Sequence, residues 1–129
     1  MKTSFFIAAL CLVSLSIFIG WVKLQKNNGD ISIAVVDTDD TYSYDASFDE
    51  NYTGRVQGYI NHSIKPNSLF RSTHDYFNVT TTLADGTDFY VKESPGNLKI
   101  EINKKKNSTA SYFRIKKMCD GVSNVLKGK

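Results

Sequence analysis

An α+β fold follows from this sequence: an N-terminal transmembrane helix, then a small domain in which two helices cover one face of an antiparallel sheet. That sheet is expected to have three strands, or four if residues 31–37 join it. Three observations carry the expectation. Residues 4–22, SFFIAALCLVSLSIFIGWV, are nineteen positions without a charge. Residues 75–104 hold three stretches of alternating apolar and polar residues, divided by Asp85-Gly86 and Pro95-Gly96. Helical periodicity brackets them on both sides.

A helix of nineteen residues at about 1.5 Å each spans roughly 28 Å, close to the hydrocarbon thickness of a bilayer. A secretory apolar region is shorter, about 7–15 residues, and ends in a small-x-small cleavage site. This run ends Phe18-Ile19-Gly20-Trp21-Val22-Lys23, with Phe18 where cleavage after Gly20 would require a small residue. Residues 1–22 are therefore expected to stay as a signal-anchor, with Trp21 and Lys23 at the membrane interface. The rival expectation is a cleaved signal and a secreted domain. The short basic N-terminus resembles that of export signals and places the domain outside the cytoplasm, in the periplasm or at the cell surface.

Residues 23–46 read as a linker and acidic arm. KLQKNNGD is polar and turn-rich. Ile31, Ile33 and Val35 then alternate with smaller residues, which suits a short strand over 31–37. DTDDTYSYDA follows and, by its charge, reads as a loop or extended arm.

The domain proper is expected over 47–129, in the order α-β-β-β-α. Ser47 and Glu50 match a capping box opening a helix over 47–64. Phe48, Tyr52, Val56, Ile60 and Ile64 recur every four residues and make its apolar face. Gly54 and Gly58 cost about 1 kcal/mol each inside a helix relative to Ala, so their presence suggests close packing. Strands follow at 75–83, 88–93 and 98–104, with Phe77, Val79, Thr81, Leu83, Phe89, Val91, Leu98, Ile100 and Ile102 facing the core. Asp85-Gly86 suits a hairpin, and Pro95-Gly96 a type II turn. Asn107 or Ser108 caps a last helix, whose seam is Tyr112, Ile115, Cys119, Val122 and Leu126.

The net charge of +3 conceals an uneven distribution. Residues 30–50 carry seven carboxylates and no basic residue, while residues 98–129 hold nine Lys/Arg against Glu101 and Asp120. The two blocks can attract each other or separate partners. Lys104, Lys105, Lys106, Arg114, Lys116 and Lys117 surround Tyr112 and Phe113, a mixture that can grip phosphates. Beside a membrane the expected polyanion is anionic lipid, and nucleic acid is not expected. The plainer reading of Lys104-Lys105-Lys106 is a solvated loop.

Little in the chain suggests catalysis. Cys119 is the lone cysteine of the soluble part, which excludes a disulfide framework and a cysteine zinc site there. His62 and His74 lack the spacing of a helical ligand pair. Asp37-Thr38-Asp39-Asp40 lacks the ligand spacing of a helix-loop-helix calcium site. No Gly-rich phosphate loop, Walker lysine, G-x-S-x-G or H-E-x-x-H occurs, and no cofactor is expected. The enzymatic alternative is a thiol enzyme using Cys119 and His74, against which stands the apolar seam around Cys119. Sequons at Asn51, Asn61, Asn78 and Asn107 matter only if the domain is lumenal in a eukaryote.

The chain is thus expected to be a membrane-tethered, non-enzymatic interaction module, of accessory, assembly, inhibitor or immunity type, meeting a protein partner. The sheet face away from the helices is expected to show Tyr76, Tyr90, Lys92 and Lys99 as partner contacts. Binding of lipid or another polyanion through the C-terminal lysines is the second expectation.

Overall fold

A computed structural model describes residues 31–128, so the expected signal-anchor, with Trp21 and Lys23, lies outside the described residues. Among the described residues no helix is long and apolar enough to cross a membrane. The chain forms β1 (Ser32–Asp37), β2 (Thr41–Ser47), a 3-10 turn (Glu50–Tyr52), α1 (Thr53–Ser63), β3 (Phe77–Thr82), β4 (Asp88–Ser94), β5 (Asn97–Asn103) and α2 (Thr109–Lys127). The strands make one five-stranded sheet, every neighbour antiparallel, in the order β1-β2-β5-β4-β3. Both helices lie on one face of it. The α+β class stands, with five strands where three or four were expected.

The added strand is β2, in the segment expected as an acidic loop or arm. Tyr42 and Tyr44 are only 1 % exposed and Ala46 is buried, while Ser43 and Asp45 point to the opposite face. Alternation of period two lets this strand keep its charge on the wet side and its rings in the core. It pairs with β5 from Thr41↔Asn103 to Ser47↔Asn97, so the sheet begins at β1 and residues 32–46 are part of the domain.

That pairing also displaces the expected start of the first helix. Ser47 sits in the ladder between Ser32 and Asn97 and forms no capping box. Asp49 caps instead, its Oδ1 accepting from the Asn51 N–H at 2.9 Å, and the α-helix starts at Thr53. Val56, Ile60 and Ile64 then bury completely, as their spacing requires. The β3–β4–β5 meander forms as expected. Gly96 takes a φ of 80°, and a Cβ there would stand 2.8 Å from the Phe48 carbonyl oxygen. Ser108 caps α2, its hydroxyl accepting from the Ser111 N–H at 3.0 Å. Ile115, Cys119, Val122 and Leu126 bury along the seam.

The close approach expected at Gly54 and Gly58 occurs elsewhere. A Cβ on Gly58 would meet nothing within 4 Å, and one on Gly54 only the Thr73 methyl at 3.4 Å. The tight contact is in α2, where a Cβ on Gly121 would overlap the Tyr59 ring of α1.

Candidate functional site

Side chains alternate across the sheet. Tyr42, Tyr44, Phe89, Val91, Ile100 and Ile102 face the helices and fill the core. The opposite face bears Ser43, Asp45, Thr80, Tyr90, Lys92, Lys99 and Glu101, and among the described residues no element covers it. Register arranges these residues in rows. Asn78, Lys92, Lys99, Asp45 and Ala34 stand side by side across all five strands, and Thr80, Tyr90, Glu101, Ser43 and Val36 form the next row.

Lys92 and Lys99 therefore stand directly opposite each other on neighbouring strands. Like charges in that relation are destabilising. Asp45 offsets one of them, lying 3.4 Å from the Lys99 ammonium. The pair lines a groove of about 540 Å³ together with Ser32, Ser47, Ser94 and Asn97. A second groove, about 290 Å³, lies at the other end of the face and is lined by Tyr90, Thr80, Asp88, Glu101, Asn103 and Lys106. Tyr90, Lys92 and Lys99 thus share the open face. Tyr76 precedes β3, outside the ladder, and is 81 % exposed.

Half of the basic patch is engaged by the acidic segment, through Lys104, Lys105 and Lys116. The Tyr112 hydroxyl donates to Asp37 Oδ2 at 2.6 Å, and Lys104 Nζ lies 2.6 Å from Asp37 Oδ1 and 4.3 Å from the Tyr112 ring centroid. Burial and the Asp37 carboxylate push the Tyr112 hydroxyl up to about 12. Lys116 approaches Asp37 at 4.0 Å and Lys105 lies 3.3 Å from Asp40. Arg114 donates to Asp85 Oδ2 at 2.6 Å and to the Ser63 carbonyl at 3.2 Å. Lys106 lines the second groove, and Lys117 is exposed on α2.

Cys119 is fully buried beneath α2, and burial pushes its thiol well above the ordinary range. His74 is exposed in the segment before β3, with its ring 3.4 Å from the Thr73 hydroxyl. No hydrogen bond or ion pair joins the two. Among the described residues no three His, Cys, Asp or Glu side chains are grouped to hold a metal ion. Two sequon asparagines are spent on structure. Asn61 accepts from the Leu69 and Phe70 N–H groups and donates to the Phe70 carbonyl. Asn107 accepts from the Asp88 N–H and donates to the Asp88 and Asn103 carbonyls.

One notable residue escaped the sequence reading. Glu93 ends the core side of β4 and is 1 % exposed. Gln57 Nε2 donates to its two carboxylate oxygens at 3.2 Å and also to the Ser72 carbonyl at 3.1 Å. Burial pushes the Glu93 carboxyl up to about 7 against the Gln57 hydrogen bond, with nearby Asp75 adding to the rise. The signal was present in the sequence, since Glu93 shares the parity of Phe89 and Val91.

The chain matches no protein-family model, no curated protein and no solved structure.

Proposed function

We propose that this chain is a non-enzymatic interaction module, tethered at a membrane surface through residues 4–22, whose open sheet face docks a protein partner outside the cytoplasm. One observation carries the reading: an uncovered sheet face presents two grooves, Tyr90 lining one of them and, at the other, two lysines set opposite each other against the electrostatic grain. A solvated face has no use for that juxtaposition, which lowers the stability of the fold. An acidic group from a partner would relieve it, and tyrosine supplies rigid contact area at low entropic cost. Lys104, Lys105, Arg114 and Lys116 already neutralise carboxylates of their own chain, as Lys99 does with Asp45, whereas Lys92 has no ion-pair partner among the described residues, which favours the open face as the docking surface.

The test is a photocrosslinking residue in place of Tyr90 in the full-length chain, irradiated in native membranes. A discrete adduct is expected from this position and not from Phe113, exposed on α2. The adduct should fall at least tenfold when Lys92→Glu and Lys99→Glu are added. Identical adducts at both positions, or an adduct indifferent to the charge reversals, would sink the reading.

A further inference from the structure

β3 is an outer strand, and its free side is bare. The Leu83 N–H donates to the Thr87 carbonyl at 2.7 Å, closing the β3–β4 hairpin. Hydrogen bonding alternates along an antiparallel ladder. From that bond, Phe77, Val79 and Thr81 turn their backbone groups to β4, while Asn78, Thr80 and Thr82 turn theirs outward. Among the described residues none of those outward N–H and C=O groups has a hydrogen-bond partner.

Sheet edges are ordinarily blunted by charge, proline, a bulge or a covering segment. β3 reads FNVTTT and carries neither charge nor proline. Its ladder with β4 runs unbroken from Phe77↔Glu93 to Thr82↔Asp88, so no bulge twists it away. Five of its six residues, Phe77, Val79 and the three threonines, are types enriched in strands. The helical layer leaves Val79 39 % exposed although it lies on the core side, and exposed Tyr76 stands beside the strand.

We propose that a second copy of this chain pairs with this edge, β3 against β3, antiparallel about a two-fold axis at Val79. That register sets Val79 opposite Val79, Asn78 opposite Thr80 and Phe77 opposite Thr81, and it preserves the faces of the sheet. The outward groups of Asn78 and Thr80 bond each other in both directions. The Val79 pair falls at a non-hydrogen-bonded position, where side chains approach closely and cover each other. About that axis only Val79 meets its own copy, so an edge of like charges would repel itself; this edge has no charge to oppose self-pairing or to select a charged foreign segment. The product is a sheet of twice the width. Both helical layers lie on one side of it, and the two open faces join on the other.

The experiment uses the full-length chain in membranes with Cys11→Ser, leaving the buried Cys119 silent. Val79→Cys under mild oxidation is expected to give a disulfide-linked dimer on a non-reducing gel. Its yield should exceed by at least tenfold that of Gly58→Cys, which is exposed on α1. Adding Thr80→Pro removes an outward N–H and leaves the bonds to β4 in place; the dimer should fall to the Gly58→Cys level with unchanged circular dichroism. If that variant does not fold, the double change Asn78→Lys, Thr80→Lys replaces it, setting like charges opposite each other across the axis. Equal yields from Val79→Cys and Gly58→Cys overturn the proposal. So does a Val79→Cys dimer that persists in a folded chain with the edge blocked.

Discussion

Glu93 occupies a position that alternation assigns to an apolar side chain, and its cost depends on pH. The carboxyl has an ordinary value of 4.5 and is raised to about 7 in the folded chain. Well below pH 4.5 both states hold the proton, and the ionisation of Glu93 makes no difference to stability. Between 4.5 and 7 the unfolded chain ionises first, so stability falls as pH rises. Above about pH 7 the deficit is complete, on the order of 3 kcal/mol for a shift of this size. Glu93→Gln keeps the shape and an acceptor for Gln57. It is expected to match the wild type at pH 4 and to gain about 2–3 kcal/mol at pH 8, measured by urea unfolding followed by circular dichroism. An equal gain at both pH values would mean that packing, not ionisation, sets the cost. Asp85 has the opposite sign. Hydrogen bonds from Thr87, and then Arg114, hold its carboxyl at about 2. The stability it contributes is present above its ordinary value and is lost as pH falls through about 2.

At the scale of elements, the glycines of the two helices separate propensity from packing. Gly58 faces open space inside α1. Gly58→Ala is therefore expected to stabilise the chain by about 1 kcal/mol, the helix-propensity difference alone. Gly121→Ala carries the same intrinsic gain but drives the Tyr59 ring out of its contact, so a net loss is expected. In a Tyr59→Ala background the loss should turn into a gain, a coupling that a double-mutant thermal-unfolding cycle reads directly. The elements that were legible in the sequence share one property: their signals are local. The meander is announced by alternation and by Asp85-Gly86 and Pro95-Gly96, and α2 by its seam and Ser108 cap. β2 was obscured because its wet side is acidic and its inner partner β5 lies fifty or more residues away, although its other partner β1 is next to it in sequence and Tyr42, Tyr44 and Ala46 alternate as a strand should. The site divides in the same way. That Tyr90, Lys92 and Lys99 share a face was not fixed by one strand, but alternation in β4 and β5 made it readable. That Lys92 stands opposite Lys99 depends on register, which no single segment contains. Gly121 was missed for a related reason, since its neighbour Tyr59 comes from another helix.

At the scale of the whole molecule, the N-terminal hairpin is a structural member of the fold. β2 lies between β1 and β5, second from the sheet edge, and its two tyrosines enter the same core as both helices. The Tyr44 hydroxyl is 2.8 Å from Ser123 of α2, and the Tyr42 ring meets that of Tyr112 edge-on at 5.9 Å. Asp37 ties the end of β1 to Lys104 and Tyr112. A chain beginning at residue 47, where the sequence alone would start the domain, keeps every local signal for two helices and three strands. It loses the rings that cover Ile100 and Ile102, and it turns β5 into an unprotected edge. Removing one large buried aromatic costs about 3–5 kcal/mol, and a small domain holds only about 5–15 kcal/mol in total. Residues 47–129 are therefore expected to lack a cooperative thermal transition, and residues 31–129 to show one, by circular dichroism and amide dispersion in NMR spectra. A folded 47–129 fragment would return the hairpin to the role of an appended arm. The expected outcome, a fragment with helical signal and no cooperative melt, is what loss of a central layer of packing produces, because local propensity survives when the long-range pairing of β2 with β5 does not.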